Sequence, residues 1–254
     1  MIKKNYLIPM EVLMDELVPV EGAKEFMEAL RYNGIPYVII TDRSARSRER
    51  LAATMNEMGF KFVRPSRIYT SVMGAVDFAV WQFPEKRRAY FIGGTGLRTT
   101  LEEVQFEISR LSPDLLFIGM NRNMDYHDYS DAAYVVRKGA QMISTDSRMI
   151  QYQNGDAEIG NGAIVRMLEA STGKVAIDAG MGSDLLIMMT LRYMRVQPED
   201  VIAIGTDFKR HILPAARCGI ETMFITHGRS LMESGITEEL HPTYMVEDLY
   251  GLCK

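Results

Sequence analysis

The sequence predicts an α/β protein built on parallel β-sheet, and two features of the chain indicate this class. Short apolar runs alternate with amphipathic stretches, which is the order of strands and helices in a parallel sheet with right-handed crossovers. The apolar runs are also continuous, as in Pro-Tyr-Val-Ile-Ile-Thr at 36–41. Such runs suit strands whose two faces are both covered. We therefore expect a sheet with helices on both sides.

The first four elements alternate strand and helix, and we place them at 5–10, 22–32, 36–41 and 44–58. The apolar residues of the 22–32 helix fall on one face, as in a helix packed on a core. Gly34 follows as a helix stop, because glycine readily adopts the left-handed conformation that ends helices. This part of the chain therefore predicts one β-α-β-α unit.

The middle of the chain has its own alternation and predicts a second α/β module. We expect its strands at 86–92, 115–119 and 141–144, and its helices at 97–103, 127–138 and 161–171. A polar loop is expected between the last strand and residue 160. Gly93-Gly94-Thr95-Gly96 follows the first of these strands but lacks the last glycine of a dinucleotide-binding motif. We interpret it as a tight strand-to-helix turn.

The last part of the chain returns to short apolar strands separated by helices. We expect strands at 175–179, 201–205 and 221–226, and helices at 183–194, 208–217 and 246–252. Ser183 is expected to cap the N-terminus of its helix. The acids and histidine at 125–131 are also interpreted as residues at a helix N-terminus, where the helix dipole favours acids.

Composition limits the classes of function. A net charge of -4 argues against a nucleic-acid surface, which needs a concentrated basic face. Two cysteines are too few for a disulfide scaffold, so a reducing cytoplasm is the expected location. Acids and a proline interrupt the N-terminal apolar run, and we expect neither a signal peptide nor a membrane span.

Several stretches, in one shared order, carry a family resemblance. They are Val12–Met14 with Val18–Ala23, Tyr69–Ser71 with Met73, Ala89–Gly93, Pro113–Gly119, Gly162-Ala163 with Glu169 and Thr172-Gly173, and Gly219–Thr222. In these the chain resembles the NagD-like class IIA group of haloacid dehalogenase-like hydrolases over almost its whole length. The resemblance implies a Rossmann-like parallel-sheet core, at 1–72 and 175–254, with an inserted α/β cap at 73–174. It also implies a Mg²⁺-dependent phosphatase ancestry and cap-mediated self-association, so a homo-oligomer is expected.

The resemblance further implies four acids and one lysine at the site, and this chain carries none of them. An aspartate nucleophile, an aspartate acid/base, a lysine and two metal-binding aspartates would stand at five positions that here hold Ile8, Met10, Met181, Thr206 and His211. Alkyl and thioether groups neither attack phosphorus nor transfer protons. Mg²⁺ also requires oxygen ligands. We therefore expect an inactive phosphatase homologue without a metal cofactor.

Other polar residues near the expected strand ends are candidate ligand-binding groups: Thr41, Asp42, Arg43, Gly180, Asp207, Asp146 and Arg148. A small anion or a protein is the expected partner, and nucleic acid and membrane are not. The alternative is an active hydrolase whose carboxylates have regrouped, with Glu11, Asp42 and Asp207 around a metal. Against it, Asp42 and Asp207 could cap helices while Glu11 is solvated.

Overall fold

The structure is a computed structural model that describes residues 4–43, 46–153, 155–230 and 241–252. These residues fall into two compact units. The first unit lies within 1–41, 48–69 and 182–254, and the second within 42–47 and 70–181. Each unit is built around its own parallel sheet, as the apolar runs predict.

The sheet of the first unit has six strands: β1 (Asn5–Pro9), β4 (Tyr37–Thr41), β5 (Ile68–Thr70), β13 (Val201–Gly205), β14 (Glu221–Ile225) and β15 (Tyr244–Val246). Their spatial order is β15-β14-β13-β1-β4-β5. The pairs from β15 to β4 are parallel. A short antiparallel pair, β2 (Met14–Asp15) and β3 (Val18–Pro19), follows the first strand.

The helices of the first unit are α1 (Met10–Leu13), α2 (Ala23–Tyr32), α3 (Arg48–Glu57), α8 (Asp184–Met194) and α9 (Leu213–Arg217). Short 3-10 turns lie at Pro65–Arg67, Pro198–Asp200 and Tyr250–Leu252. Phe26, Met55 and Phe60 are fully buried in one apolar cluster with the residues of β1 and β4. The predicted cap at Ser183 is confirmed, because its Oγ accepts a hydrogen bond from the Leu186 backbone N–H.

The second unit contains β6 (Arg88–Ile92), β7 (Glu107–Ile108), β8 (Leu115–Ile118), β9 (Gln141–Ser144) and β12 (Ile177–Asp178). They form a parallel sheet in the order β12-β9-β8-β6-β7. Its helices are α4 (Ser71–Gln82), α5 (Thr95–Glu103), α6 (Tyr126–Arg137) and α7 (Asn161–Thr172). Asp125 caps α6 and forms a reciprocal capping box with Asp128, which confirms the interpretation of that acidic stretch.

Three sequence expectations are wrong in detail. The polar loop up to residue 160 contains an antiparallel hairpin of β10 (Ile150–Gln153) and β11 (Asp156–Ile159). The strand expected at 175–179 is shorter, Ile177–Asp178, and it pairs with β9 in the second sheet. The terminal helix expected at 246–252 is strand β15 and a single 3-10 turn.

The helix expected at 208–217 begins with a π-helical turn over Phe208–Ile212 and continues as α9. Pro214 lies in the first turn of α9, where a helix tolerates a residue without a backbone N–H. The wider turn itself is formed by the Leu213 N–H, which bonds to the Phe208 carbonyl five residues earlier. In the part of the chain that the structure describes, no helix combines the length and apolarity needed to cross a bilayer.

Candidate functional site

The carboxyl end of β1 is apolar. Ile8 is fully buried and Met10 is 1% exposed, and both belong to the main apolar cluster of the first unit. Pro9 lies between them, and no side chain caps the short helix that begins at Met10. The two positions where the resemblance implies aspartates therefore contribute packing instead of polar chemistry.

His211 lies in the π-helical turn after β13 and is 2% exposed. Its Nδ1 accepts hydrogen bonds from the backbone N–H groups of Thr206 and Asp207, at 3.3 Å each. An accepting Nδ1 leaves the hydrogen of the neutral imidazole on Nε2. Gly205 makes this placement possible, because a Cβ at that position would lie 2.4 Å from the His211 Cβ.

Burial lowers the pKa of His211, because the charged imidazolium loses its hydration there. The Glu11 carboxylate opposes this effect, whereas the Arg210 guanidinium adds to it. Glu11 is partly exposed, so the expected solvation is only partial: its Oε2 is buried without a hydrogen-bond partner, and so is the His211 Nε2. His211 is therefore a neutral, buried group with a nearby acid.

These residues do not fit Mg²⁺, the metal that the resemblance implies. Mg²⁺ is bound by an octahedron of oxygen atoms. The side chains of Ile8 and Met10 offer none, and the Nε2 of His211 carries a hydrogen instead of a free electron pair. Within residues 4–43, 46–153, 155–230 and 241–252, no three His, Cys, Asp or Glu side chains are grouped to hold a metal ion.

Asp207 acts as a helix cap. Its Oδ1 accepts a hydrogen bond of 3.0 Å from the Arg210 backbone N–H, which confirms the capping interpretation for this residue. Thr41 is fully buried at the end of β4, Arg43 is half-buried, and Met181 is 3% exposed. Met181 therefore fills space where the resemblance implies a lysine.

Two candidate residues of the second unit, Asp42 and Asp146, lie beside a third, Arg148. Its Nε lies 3.1 Å from each carboxylate oxygen of Asp146, and its Nη2 lies 2.6 Å from Oδ2. The same Nη2 lies 3.3 Å from the Asp42 carboxylate. Both aspartates are buried. Asp178 is close enough to Asp146 for the two charges to interact, and we call Asp42, Asp146, Arg148 and Asp178 the carboxylate–arginine cluster.

Gly180 closes this cluster against Asp146. A Cβ at position 180 would lie 2.8 Å from the Asp146 Cα, so only glycine fits without a backbone shift. The Gly180 N–H donates to the Asp178 carboxylate at 2.8 Å. Burial raises the pKa of Asp178, and the Asp146 charge adds to this, while the hydrogen bonds from Gly180 and Ser147 oppose it.

Sequence reasoning gave no role to Asp178 or to Asn161. Asn161 is 1% exposed, and its Nδ2 donates to the Asp146 carbonyl at 2.7 Å and to the Ile118 carbonyl at 3.3 Å. It therefore fixes the loop that carries Asp146. The only available signal was its position at the start of a predicted helix, next to Gly160 and Gly162.

Comparisons with known proteins agree with this architecture. A family model described as haloacid dehalogenase-like hydrolase matches residues 11–107. The acid sugar phosphatase of Staphylococcus aureus (strain USA300) is 28% identical over 251 residues, covering 97% of this chain and 95% of that protein. The structure of NagD from E. coli K-12 superposes with a TM-score of 0.88 at 27% identity, covering 98% of both chains.

The family match and the NagD and NPPase neighbours support a place for this chain in the haloacid dehalogenase-like superfamily, in its NagD-like class IIA group. A thermostable NPPase double mutant from Geobacillus stearothermophilus is a further neighbour, with a TM-score of 0.87, 26% identity and 98% coverage of both chains. This NagD-like chain thus shares its fold with phosphatases over nearly its full length. Its own catalytic capacity depends on the side chains described above.

Proposed function

We propose that this NagD-like chain does not hydrolyse phosphomonoesters with Mg²⁺ and acts instead by binding. The observation that carries the proposal is the burial of Ile8 and Met10 within the apolar core. A side chain in that cluster supplies no nucleophile and no proton. His211 adds support, because its Nδ1 is held by backbone N–H groups and its pKa is lowered.

The expected loss of activity is large. Phosphoryl transfer depends on positioning and on charge stabilisation. Removing members of a nucleophilic triad in a serine protease lowers kcat by roughly 10⁴–10⁶. Five substitutions at once, with no formal charge left in place of four acids and a lysine, should leave no aspartyl-phosphate chemistry above background.

A small anion remains our proposed ligand, and the charges around Arg148 limit where it binds. Arg148 already lies between the carboxylates of Asp42 and Asp146, and Asp178 adds a further acid. An anion at Arg148 would have to displace one of these carboxylates. Arg43 and Gly180 are the remaining candidates of the second unit, and Thr41 and Asp207 those of the first.

The alternative is an active hydrolase that uses Glu11, Asp42 and Asp207. Two observations weigh against it. Asp207 accepts the hydrogen bond of a helix cap, and Asp42 contacts the Arg148 guanidinium. Asp42 and Asp207 thus each have a partner within their own unit of the protein. Activity that required these three acids would restore the alternative.

Self-association through the second unit is a further proposal. Tyr126, Tyr134 and Met167 line one groove between α6 and α7 and are 82%, 60% and 44% exposed. Light scattering on the purified chain would measure the mass in solution. The mass of a single chain at all concentrations would contradict this proposal.

Hydrolysis of p-nitrophenyl phosphate and of a sugar phosphate, with Mg²⁺ and with EDTA, tests the main proposal. We expect the two rates to be equal and at background. A matched preparation of Glu11→Gln with Asp207→Asn controls for contaminating phosphatases. A Mg²⁺-dependent rate that this double variant abolishes would overturn the proposal and favour the regrouped carboxylates.

A further inference from the structure

In the sheet of the second unit, the order in which successive strands are added reverses at β6. The chain first adds β7 on one side of β6 and then adds β8, β9 and β12 in turn on the other. All these pairs are parallel. Ligands of open α/β sheets bind in the crevice outside the carboxyl ends of the strands at such a reversal. The carboxylate–arginine cluster lies elsewhere, at the ends of β9 and β12.

A cavity of about 330 Å³ lies at this reversal. The cavity exists because β7 is short. β7 pairs only with Arg88 and Ala89 of β6, and the later residues of β6 extend beyond the end of β7. Tyr90 and Phe91 line the cavity, together with Met124 from the segment after β8. The volume is at the small end of the range of ligand pockets, roughly 300–1,000 Å³.

Two arginines lie at this cavity, each beside an aromatic ring. The Arg98 guanidinium is 5.0 Å from the Phe91 ring centroid, and the Arg110 guanidinium is 5.7 Å from that of Tyr90. Their acidic partners, Glu102 for Arg98 and Asp131 for Arg110, are exposed. Exposed ion pairs contribute little to stability, so an anionic group of a ligand can replace these partners.

The remaining polar groups of the lining are already engaged. The Asp128 carboxylate accepts from the Asp125 N–H in the helix cap. The Asn121 amide donates to the Gly93 carbonyl at 3.0 Å. The two guanidinium groups are therefore the main polar recognition elements, and the rings and Met124 provide an apolar surface.

We propose that this crevice binds an organic anion of mononucleotide size, made of an aromatic ring that carries a phosphate group. The phosphate lies between Arg98 and Arg110, because guanidinium groups match phosphate oxygens in charge and geometry. The ring packs on Phe91 and Met124. This site does not depend on whether the chain hydrolyses phosphate esters.

Calorimetric titration of the full chain in EDTA tests the proposal, with adenosine 5′-monophosphate, adenosine and inorganic phosphate as probes. EDTA separates binding from metal-dependent hydrolysis. We expect adenosine monophosphate to bind at least tenfold more tightly than either fragment, since only it provides both the ring and the charge. No measurable binding, or equal binding of inorganic phosphate, would overturn the proposal.

Variants identify the site. Arg98→Ala and Arg110→Ala should each weaken binding by about tenfold or more, the effect expected for a charge-assisted hydrogen bond. Ser109→Phe should block the cavity without changing charge. Arg137→Ala, an exposed arginine outside the cavity, is the matched control and should bind like the parent. Unchanged affinity in both arginine variants would overturn the assignment, and circular dichroism would verify that each variant is folded.

Discussion

Mild acid is expected to destabilise the protein through His211. The group is buried, and its lowered pKa means that the folded state binds a proton less readily than the unfolded chain. The contribution of His211 to the free energy of unfolding is therefore fully present above about pH 6.5, the pKa of histidine in the unfolded chain. It is lost as the pH falls below that value. For one proton the loss approaches about 1.4 kcal/mol per pH unit. Between pH 6.5 and 5.5, the free energy of unfolding should fall by up to about 1 kcal/mol.

Urea unfolding at a series of pH values from 7.5 to 5 measures this loss. His211→Asn keeps an acceptor for the Thr206 and Asp207 N–H groups but does not titrate, so its stability should depend less on pH. Burial also lowers the pKa of His227, which is only partly buried. His227→Gln is therefore the matched control and should retain most of the effect. Equal pH dependence in His211→Asn and the parent chain would refute the reasoning.

Three further results are expected. Asp178→Asn should raise the free energy of unfolding at pH 7 by up to about 1 kcal/mol. The raised pKa means that the charged Asp178 carboxylate destabilises the folded state at this pH, and asparagine removes that charge. The gain should shrink toward pH 4, where the aspartate is increasingly protonated. Asn161→Ala should lower that free energy by about 1–3 kcal/mol in urea unfolding, since the buried Ile118 and Asp146 carbonyls lose a donor. Burial raises the pKa of Cys218 to about 11, so only about 0.1% is thiolate at pH 8, and a thiol reagent should modify it slowly until the chain unfolds.

Local patterns were sufficient to predict most elements of the fold. Strands at 141–144 and 201–205 are confirmed with the predicted bounds, because each is a short apolar run between turn residues. Helix Ser71–Gln82 was not predicted. It is apolar on nearly every side, so the polar face that reveals a helical period is missing. The hairpin at 150–159 was not predicted because its apolar residues do not mark a buried face. Ile150 and Tyr152 are exposed, so the strand lacks the alternation of buried apolar and solvated polar residues that indicates a strand.

The arrangement of the site depends on contacts that a sequence does not display. The replacements at Ile8 and Met10 were visible, and so was the capping role of Asp207. The contact between Arg148 and Asp42 joins segments that lie far apart in the chain, and no local pattern predicts it. The role of Asp178 follows from the pairing of its strand with β9, whereas the apolar run alone suggested the other sheet.

The position of β1 in the first sheet has a consequence for folding. Asn5 and Tyr6 pair with Val201 and Ile202 of β13, so this neighbour of β1 is synthesised long after β1 itself. Pairings of such long sequence separation form slowly. On the ribosome, residues 70–181 emerge before β13 and can complete their own sheet. Until β13 emerges, one edge of β1 has no paired strand. Chaperones that shield exposed strand edges should therefore act on the N-terminal segment of this protein.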